Sequence, residues 1–171
     1  MALDLKAMLS STSNMIAKHK DTGSTYFTGS GLIKKVQVHF NGLSGLHEGI
    51  PVPLENYPAI FTELVDSDDA FIRLGSSARR DAEITFNIIA VTNYQGPGEG
   101  ENVGRQKADA EVITLTQNIN NLLRNNIRLS QTSVVSHSLV TGVDFSRRVD
   151  TKTATYNAMS TITLQVTAVN I

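Results

Sequence analysis

The sequence predicts an α+β domain: a mainly antiparallel β-sheet with two helices packed on one face, in the order α-β-β-β-α-β-β. Three observations carry this reading. Residues 79–92 alternate at period two, with Ala82, Ile84, Phe86, Ile88 and Ala90 on one side and Glu83, Thr85 and Asn87 on the other. Two stretches, one near the start of the chain and one from residue 106, repeat apolar residues at helical spacing. The extended segments come in runs rather than alternating strictly with helices, as antiparallel sheets do. A strand with one dry face needs a lid, and the second amphipathic stretch follows it directly. Segment 79–92 is therefore expected in the middle of the sheet.

At 171 residues the chain fits a single domain, 1–171, long enough to bury a real core. Apolar residues make up 40% and charged residues 18%, which suits a globular fold with a Ser/Thr/Asn-rich surface. A net charge of −1 removes the whole-molecule attraction for phosphate backbones that nucleic-acid binders carry. The absence of cysteine excludes disulfides, thiolate chemistry and a Cys-ligated zinc site. No apolar run approaches the roughly 20 residues that span a bilayer. The opening Met-Ala-Leu-Asp-Leu-Lys lacks the basic flank and apolar stretch of a signal peptide. These features point to a protein made and used in a cytoplasm.

Residues 3–20 read as the first helix, with Leu5, Met8, Leu9, Thr12 and Ile16 on one face. Asp4 in its first turn and Lys18, His19 and Lys20 in its last suit the helix dipole. Gly23 ends it, and 21–31 is a loop. Residues 32–40 form a strand in which Val36, Val38 and Phe40 alternate with Lys35, Gln37 and His39. Glycines and prolines make 41–53 an irregular connection. A second apolar stretch covers 57–65, with Pro58 at its start, where a strand tolerates proline. Asp66, Ser67, Asp68 and Asp69 read as a turn, and 70–74 as a short extended piece. After the 79–92 strand, five Gly or Pro residues make 93–104 a loop mobile by composition. Residues 106–125 form the second helix, burying Ala108, Val112, Leu115, Ile119 and Leu122, with Ile113 and Leu123 on the flanks. That buried stripe cannot offset the entropy of ordering the helix alone, so the helix must lie on the sheet. In the strand 133–145, Val135, Leu139, Val143 and Phe145 share a face with His137. A turn carrying Arg147, Arg148, Asp150 and Lys152 leads to the last strand, 153–169, with Tyr156, Ala158, Ile162, Leu164, Val166 and Ala168 on its dry side. The opposite sheet face is rich in Thr, Ser, Gln and Asn, as a wetted or partner-covered face should be.

No motif for catalysis or cofactor binding emerges. The Gly-rich run 96–104 before a helix has the general setting of a phosphate cradle, but no Gly-Lys-Ser/Thr follows, and Glu99 and Glu101 would repel phosphate. His19, His39, His47 and His137 show no ligand spacing. Asp66, Asp68 and Asp69 lack the glycine and distal glutamate of a calcium loop. No Gly-x-Ser-x-Gly is present. The basic pairs Lys34-Lys35, Arg79-Arg80 and Arg147-Arg148 read as charge at strand ends, which blocks edge-to-edge aggregation, rather than as nucleic-acid contacts. Catalytic, cofactor-binding and metal residues are therefore assigned to none.

Several segments spread over the chain carry a resemblance. There is a helix-first start. Tyr57-Pro58-Ala59-Ile60-Phe61-Thr62-Glu63-Leu64 is a proline-led extended stretch before an acidic run. Phe71-Ile72-Arg73-Leu74-Gly75 leads through Arg79-Arg80 into the long strand, and the second helix ends Leu122-Leu123-Arg124-Asn125-Asn126. The chain closes with Val143-Asp144-Phe145 and a final strand over 162–169. In order and texture this resembles the tail terminator, or tail completion, proteins of long-tailed bacteriophages and gene transfer agents. The resemblance is architectural and covers about the whole chain.

The resemblance implies a virion structural protein of the tail and neck, assembled in the host cytoplasm, with no catalysis and no cofactor. It implies a homo-oligomeric ring, usually a hexamer, on the head-proximal end of the tail tube. Such a ring stops polymerisation of the tail tube protein and offers a surface to the head-tail connector protein. DNA passes through its bore without specific binding, and no membrane is involved. A bore that releases DNA should not grip phosphates. Asp66, Asp68, Asp69, Glu99 and Glu101 are lumen candidates by type, and 21–31, 42–53 and 93–104 are candidate ring-contact loops. The alternatives are a tail-tube or other neck protein and, in another class, a small α+β enzyme or ligand-binding domain.

Overall fold

A computed structural model of the chain describes residues 4–21, 25–27, 33, 35–39, 57–71, 80–95, 101–130, 135–150 and 155–169. The elements are α1 (Leu5–Asp21), a single 3-10 turn (Thr25–Phe27), β1 (Lys35–His39), β2 (Ala59–Phe71), β3 (Arg80–Gln95), α2 (Glu101–Asn125), β4 (Val135–Asp150) and β5 (Thr155–Val169). The strands form one five-stranded sheet in the order β1-β2-β3-β5-β4. Only β1 and β2 run parallel; the other three neighbouring pairs are antiparallel. The fold is α+β with a mainly antiparallel sheet, and β3 is its central strand, as its alternation predicts. Gly23 and the connection 41–53 lie outside the described residues.

Both helices roof one face. Met8, Leu9, Met15 and Ile16 of α1 and Ala108, Val112, Leu115, Ile119, Leu122 and Leu123 of α2 join a single core with Ile84, Phe86 and Ile88 of β3 and Ile162, Leu164 and Val166 of β5. Asp4 stands just before α1 and accepts a hydrogen bond from the Ala7 amide at 2.9 Å, so it caps the helix instead of sitting inside the first turn. Buried hydroxyls fix how α2 lies on the sheet. Thr92 Oγ1 donates to the Ala108 carbonyl at 2.9 Å, and Thr116 Oγ1 and Ser160 Oγ share a hydrogen bond of 2.6 Å. Such ties have one good geometry, whereas apolar contacts alone would tolerate sliding.

Four expectations change. β2 runs through the acidic residues Asp66, Asp68 and Asp69, which pair in register with Thr85, Glu83 and Ala82 of β3; there is no turn. A bulge at Val65 resets the register, and β1 covers only Ala59 to Glu63, so the second half of β2 has no strand beside it on that side among the described residues. Charged residues suit such an edge. Second, β3 continues to Gln95 and the helix α2 starts at Glu101, so both ends of the loop predicted over 93–104 belong to regular elements, and 96–100 lies outside the described residues. Gly104 is helical and packs so closely that a Cβ there would lie 2.4 Å from the Tyr156 ring. Third, Arg147, Arg148 and Asp150 belong to β4 and pair with Ala158, Asn157 and Thr155; the connection starts later.

The fourth change concerns the face away from the helices. Part of it is polar, as expected: Gln165 Nε2 donates to Glu83 Oε2 at 3.1 Å, and Thr163 Oγ1 to Asn87 Oδ1 at 3.4 Å. The other end carries a second buried apolar cluster of Tyr57, Ala59, Phe61, Ile89 and Val91, with Met159 packed against it. The cause is legible in the continuous runs Ala59-Ile60-Phe61 and Ile88-Ile89-Ala90-Val91. In a strand, neighbouring apolar residues point to opposite faces, so such runs need both sides dry.

Candidate functional site

The edge strand β4 departs from simple alternation. Its pairing with β5 shifts register twice, between Val135 and His137 and between Val140 and Gly142. Each bulge adds one residue and reverses which side the following residues occupy. Val135, Val143 and Phe145 stand opposite Ala168, Ile162 and Ser160, on the helix side. His137 and Leu139 stand opposite Thr167 and Gln165, on the other side. The single face expected for Val135, Leu139, Val143, Phe145 and His137 is therefore split between two. His137 is exposed, and its Nε2 lies 3.3 Å from Thr167 Oγ1.

As the last strand of the sheet, β4 pairs only with β5 among the described residues. It leaves Leu139, Val143 and Phe145 exposed, with Phe145 at 55%. Ile113 of α2 is also exposed and lines one cavity together with Phe145. Two shallow cavities open along the seam between α2 and β4. One, of about 200 Å³, is lined by Asp109, Val112, Ile113, Phe145, Ser146 and Arg147. The other, of about 190 Å³, lies between Leu123, Arg124 and Ile127 on the helical side and Ser138, Leu139 and Val140 on the strand. Arg147 Nε donates to Asp109 Oδ1 at 2.8 Å and fastens the strand to the helix; 69% of its side chain stays exposed.

The seam combines a strand paired on one side among the described residues, scattered apolar side chains and charges of both signs. Among the described residues no group of three or more His, Cys, Asp or Glu converges to hold a metal ion. Among the described residues the titration moved far from its ordinary value is that of Tyr57, pushed up to about 12 by burial of its phenol. It lies in the second apolar cluster, away from the seam.

Other residues singled out by sequence do not converge. Asp66 is exposed on β2, while Glu101 begins α2 on the far side of β3 in the chain order. Arg80 begins β3, Arg147 and Arg148 lie on the β4 edge, and Arg79 and Glu99 fall outside the described residues. Sequence reasoning missed Ile113 and Phe145 as a joint exposed pair. The signal available was Ile113's position on the flank of the helical stripe. No helix among the described residues is long and apolar enough to cross a membrane. No protein-family model matches the chain, and no curated protein shows significant similarity to it.

Proposed function

We propose that this chain is a virion structural protein, a tail terminator that forms a ring on the head-proximal end of a tail tube. One observation carries the reading: the succession of elements resembles that family over almost the whole chain, from the helix-first start to the paired closing strands. The placement of both described helices on one face supports it, because the polar end of the second face, around Glu83, Asn87, Thr163 and Gln165, is left for neighbours. Head-to-tail contacts between identical subunits close into a ring when the rotation between copies divides a full turn. Six copies, a surface for the connector and a bore through which DNA slides complete the proposal.

The tube end would act as template. Ordering surface segments costs entropy that only bound neighbours offset, so the free subunit need not assemble by itself. The bore must be poor in Lys and Arg, since several phosphate contacts would hold DNA strongly and in a salt-dependent way. Asp66, Asp68, Asp69, Glu99 and Glu101 remain the candidates for that lining. The segments 21–31 and 42–53, and the shortened 96–100, are the candidates for ring contacts.

The test is electron microscopy of the protein mixed with a tail tube protein from the same source. Rings of fixed width at one tube end, and tubes that stop growing when the protein is added, are the expected result. Long tubes made by this chain alone would favour a tube protein. Unaltered tube growth with no bound protein would remove the tail reading and leave an enzyme or ligand-binding domain in its place.

A further inference from the structure

The second half of β4 reads almost as a charge palindrome. From residue 143 the sequence is Val-Asp-Phe-Ser-Arg-Arg-Val, with Ser146 at its centre. This segment follows the second bulge, and its register against β5 is regular from Val143 to Asp150. Val143, Phe145 and Arg147 stand on the helix side, opposite Ile162, Ser160 and Ala158, and the backbone register continues with Val149 at Tyr156. Asp144 and Ser146 stand on the other side, opposite Thr161 and Met159, and the backbone of Arg148 is in register with Asn157.

We propose that this edge is the seat of a second copy of the chain, paired antiparallel about a two-fold axis through Ser146. In that register residues opposite each other share a face, as antiparallel pairing requires. Val143 meets Val149 of the partner subunit. Asp144 meets Arg148 of the partner subunit, a pair made twice by the symmetry. Phe145 meets Arg147 of the partner subunit, also twice. Both of those side chains are exposed in the single chain, and the Arg147–Asp109 hydrogen bond holds the guanidinium on the helix side, where the ring of Phe145 stands. A guanidinium over an aromatic face is attractive in its own right.

The same charges choose the geometry. Parallel, in-register stacking would set Asp144 on Asp144, Arg147 on Arg147 and Arg148 on Arg148, which repel. The two-fold arrangement converts each of these clashes into a match. It also consumes the edge, so the assembly stops at two and does not run on into a fibre. The two bulges in the first half of β4 divert that half from further pairing. The paired strip is short, about 24 Å for seven residues at ~3.4 Å each. It belongs with small, reversible interfaces. A two-fold dimer does not close a ring, so this is a state of the free subunit, and it does not rest on the tail reading.

Light scattering on the purified chain across a dilution series tests it. The expected mass rises with concentration from 18.5 kDa towards twice that value. Asp144→Arg and Arg148→Asp should each hold the protein at the single-chain mass at the highest concentration. The combined variant D144R/R148D restores opposite signs and should recover the dimer, which a merely misfolded variant would not. Circular dichroism shows whether each single variant is folded. A wild-type mass that never exceeds one chain would overturn the proposal. So would a dimer that survives both single variants, or a double variant that fails to recover. Because the dimer and the ring are separate, Asp144→Arg should lose the dimer and still form rings at a tube end.

Discussion

Tyr57 sits at the start of the second apolar cluster with 5% of its surface exposed, and its hydroxyl has no hydrogen-bond partner among the described residues. Burial disfavours the phenolate, which raises its pKa from 10.0 to about 12. The consequence for stability follows from where each state ionises. Below pH 10 both the folded and the unfolded chain keep the proton, and nothing is lost. Above pH 10 the unfolded chain releases it while the folded chain does not, so stability falls as pH rises towards 12. A gap of about two units amounts to roughly 3 kcal/mol at most. Tyr57→Phe removes both the titration and the unpaired hydroxyl. It should cost nothing at neutral pH, or stabilise by up to ~1 kcal/mol. Denaturant titrations of both proteins at pH 8, 10 and 11.5 should show the variant gaining on the wild type only in alkali. Parallel pH curves would mean that the phenol is hydrated. None of this was legible in the sequence, where Tyr57 is simply the residue before Pro58.

At the scale of elements, α2 shows how far a sequence pattern reaches and where it stops. Its buried stripe from Ala108 to Leu122 is placed by spacing alone, and every member is buried as expected. Its first turn is not, because Gly104 reads as a breaker and the preceding Gly and Pro residues reinforce that reading. The helix continues through Gly104 because the missing side chain lets the backbone lie against Tyr156 and Tyr94. Lys107 braces the same spot, its Nζ donating to Tyr94 Oη at 3.0 Å. Helix propensity alone says that Gly104→Ala should stabilise by up to about 1 kcal/mol. Packing says the reverse: the new methyl would stand 2.4 Å from two Tyr156 ring carbons, and Tyr156 is itself 94% buried, its exposure being 6%. Overpacking of this kind typically costs about 1–3 kcal/mol. The variant should therefore melt below the wild type, and a higher melting temperature would show that α2 does not lie so close to β5. The bulges in β2 and β4 make the same point for strands. Period-two reading assumes no inserted residue, so each bulge turns a correct pattern into a wrong face.

For the whole molecule, the order β1-β2-β3-β5-β4 sets a gradient of protection. β3 is paired on both sides, with Ile84 to Val91 wholly buried at Ile84, Phe86, Ile88, Ile89, Ala90 and Val91. β4 is paired on one side only among the described residues. Amides in β3 should exchange with solvent only through global unfolding, and those of β4 that point away from β5 should exchange much faster in dilute protein. Exchange followed by NMR or mass spectrometry reads this directly. Slowing confined to 143–149 at high concentration is what a two-fold edge pairing requires. Equal protection across all five strands would mean that the β4 edge is covered within the single chain. The charge pattern sets limits at this scale too. A net charge of −1 gives no long-range pull on DNA, which suits a bore and does not by itself define one.

By itself the sequence determined the fold class, the central place of β3, the two helical stripes and the dry side of β5, because these follow from periodic patterns that recur over many residues. It also determined that no disulfide or thiolate chemistry is available. Only the tertiary structure decided that the acidic run Asp66 to Asp69 is strand, that Gly104 is helix, and that Leu139 and Phe145 point to opposite sides. Each of these depends on a neighbour distant in sequence: β3 beside the acids, Tyr156 beside the glycine, β5 beside the bulges. Local pattern carries the direction of a side chain along one element. It carries no information about what another element places opposite.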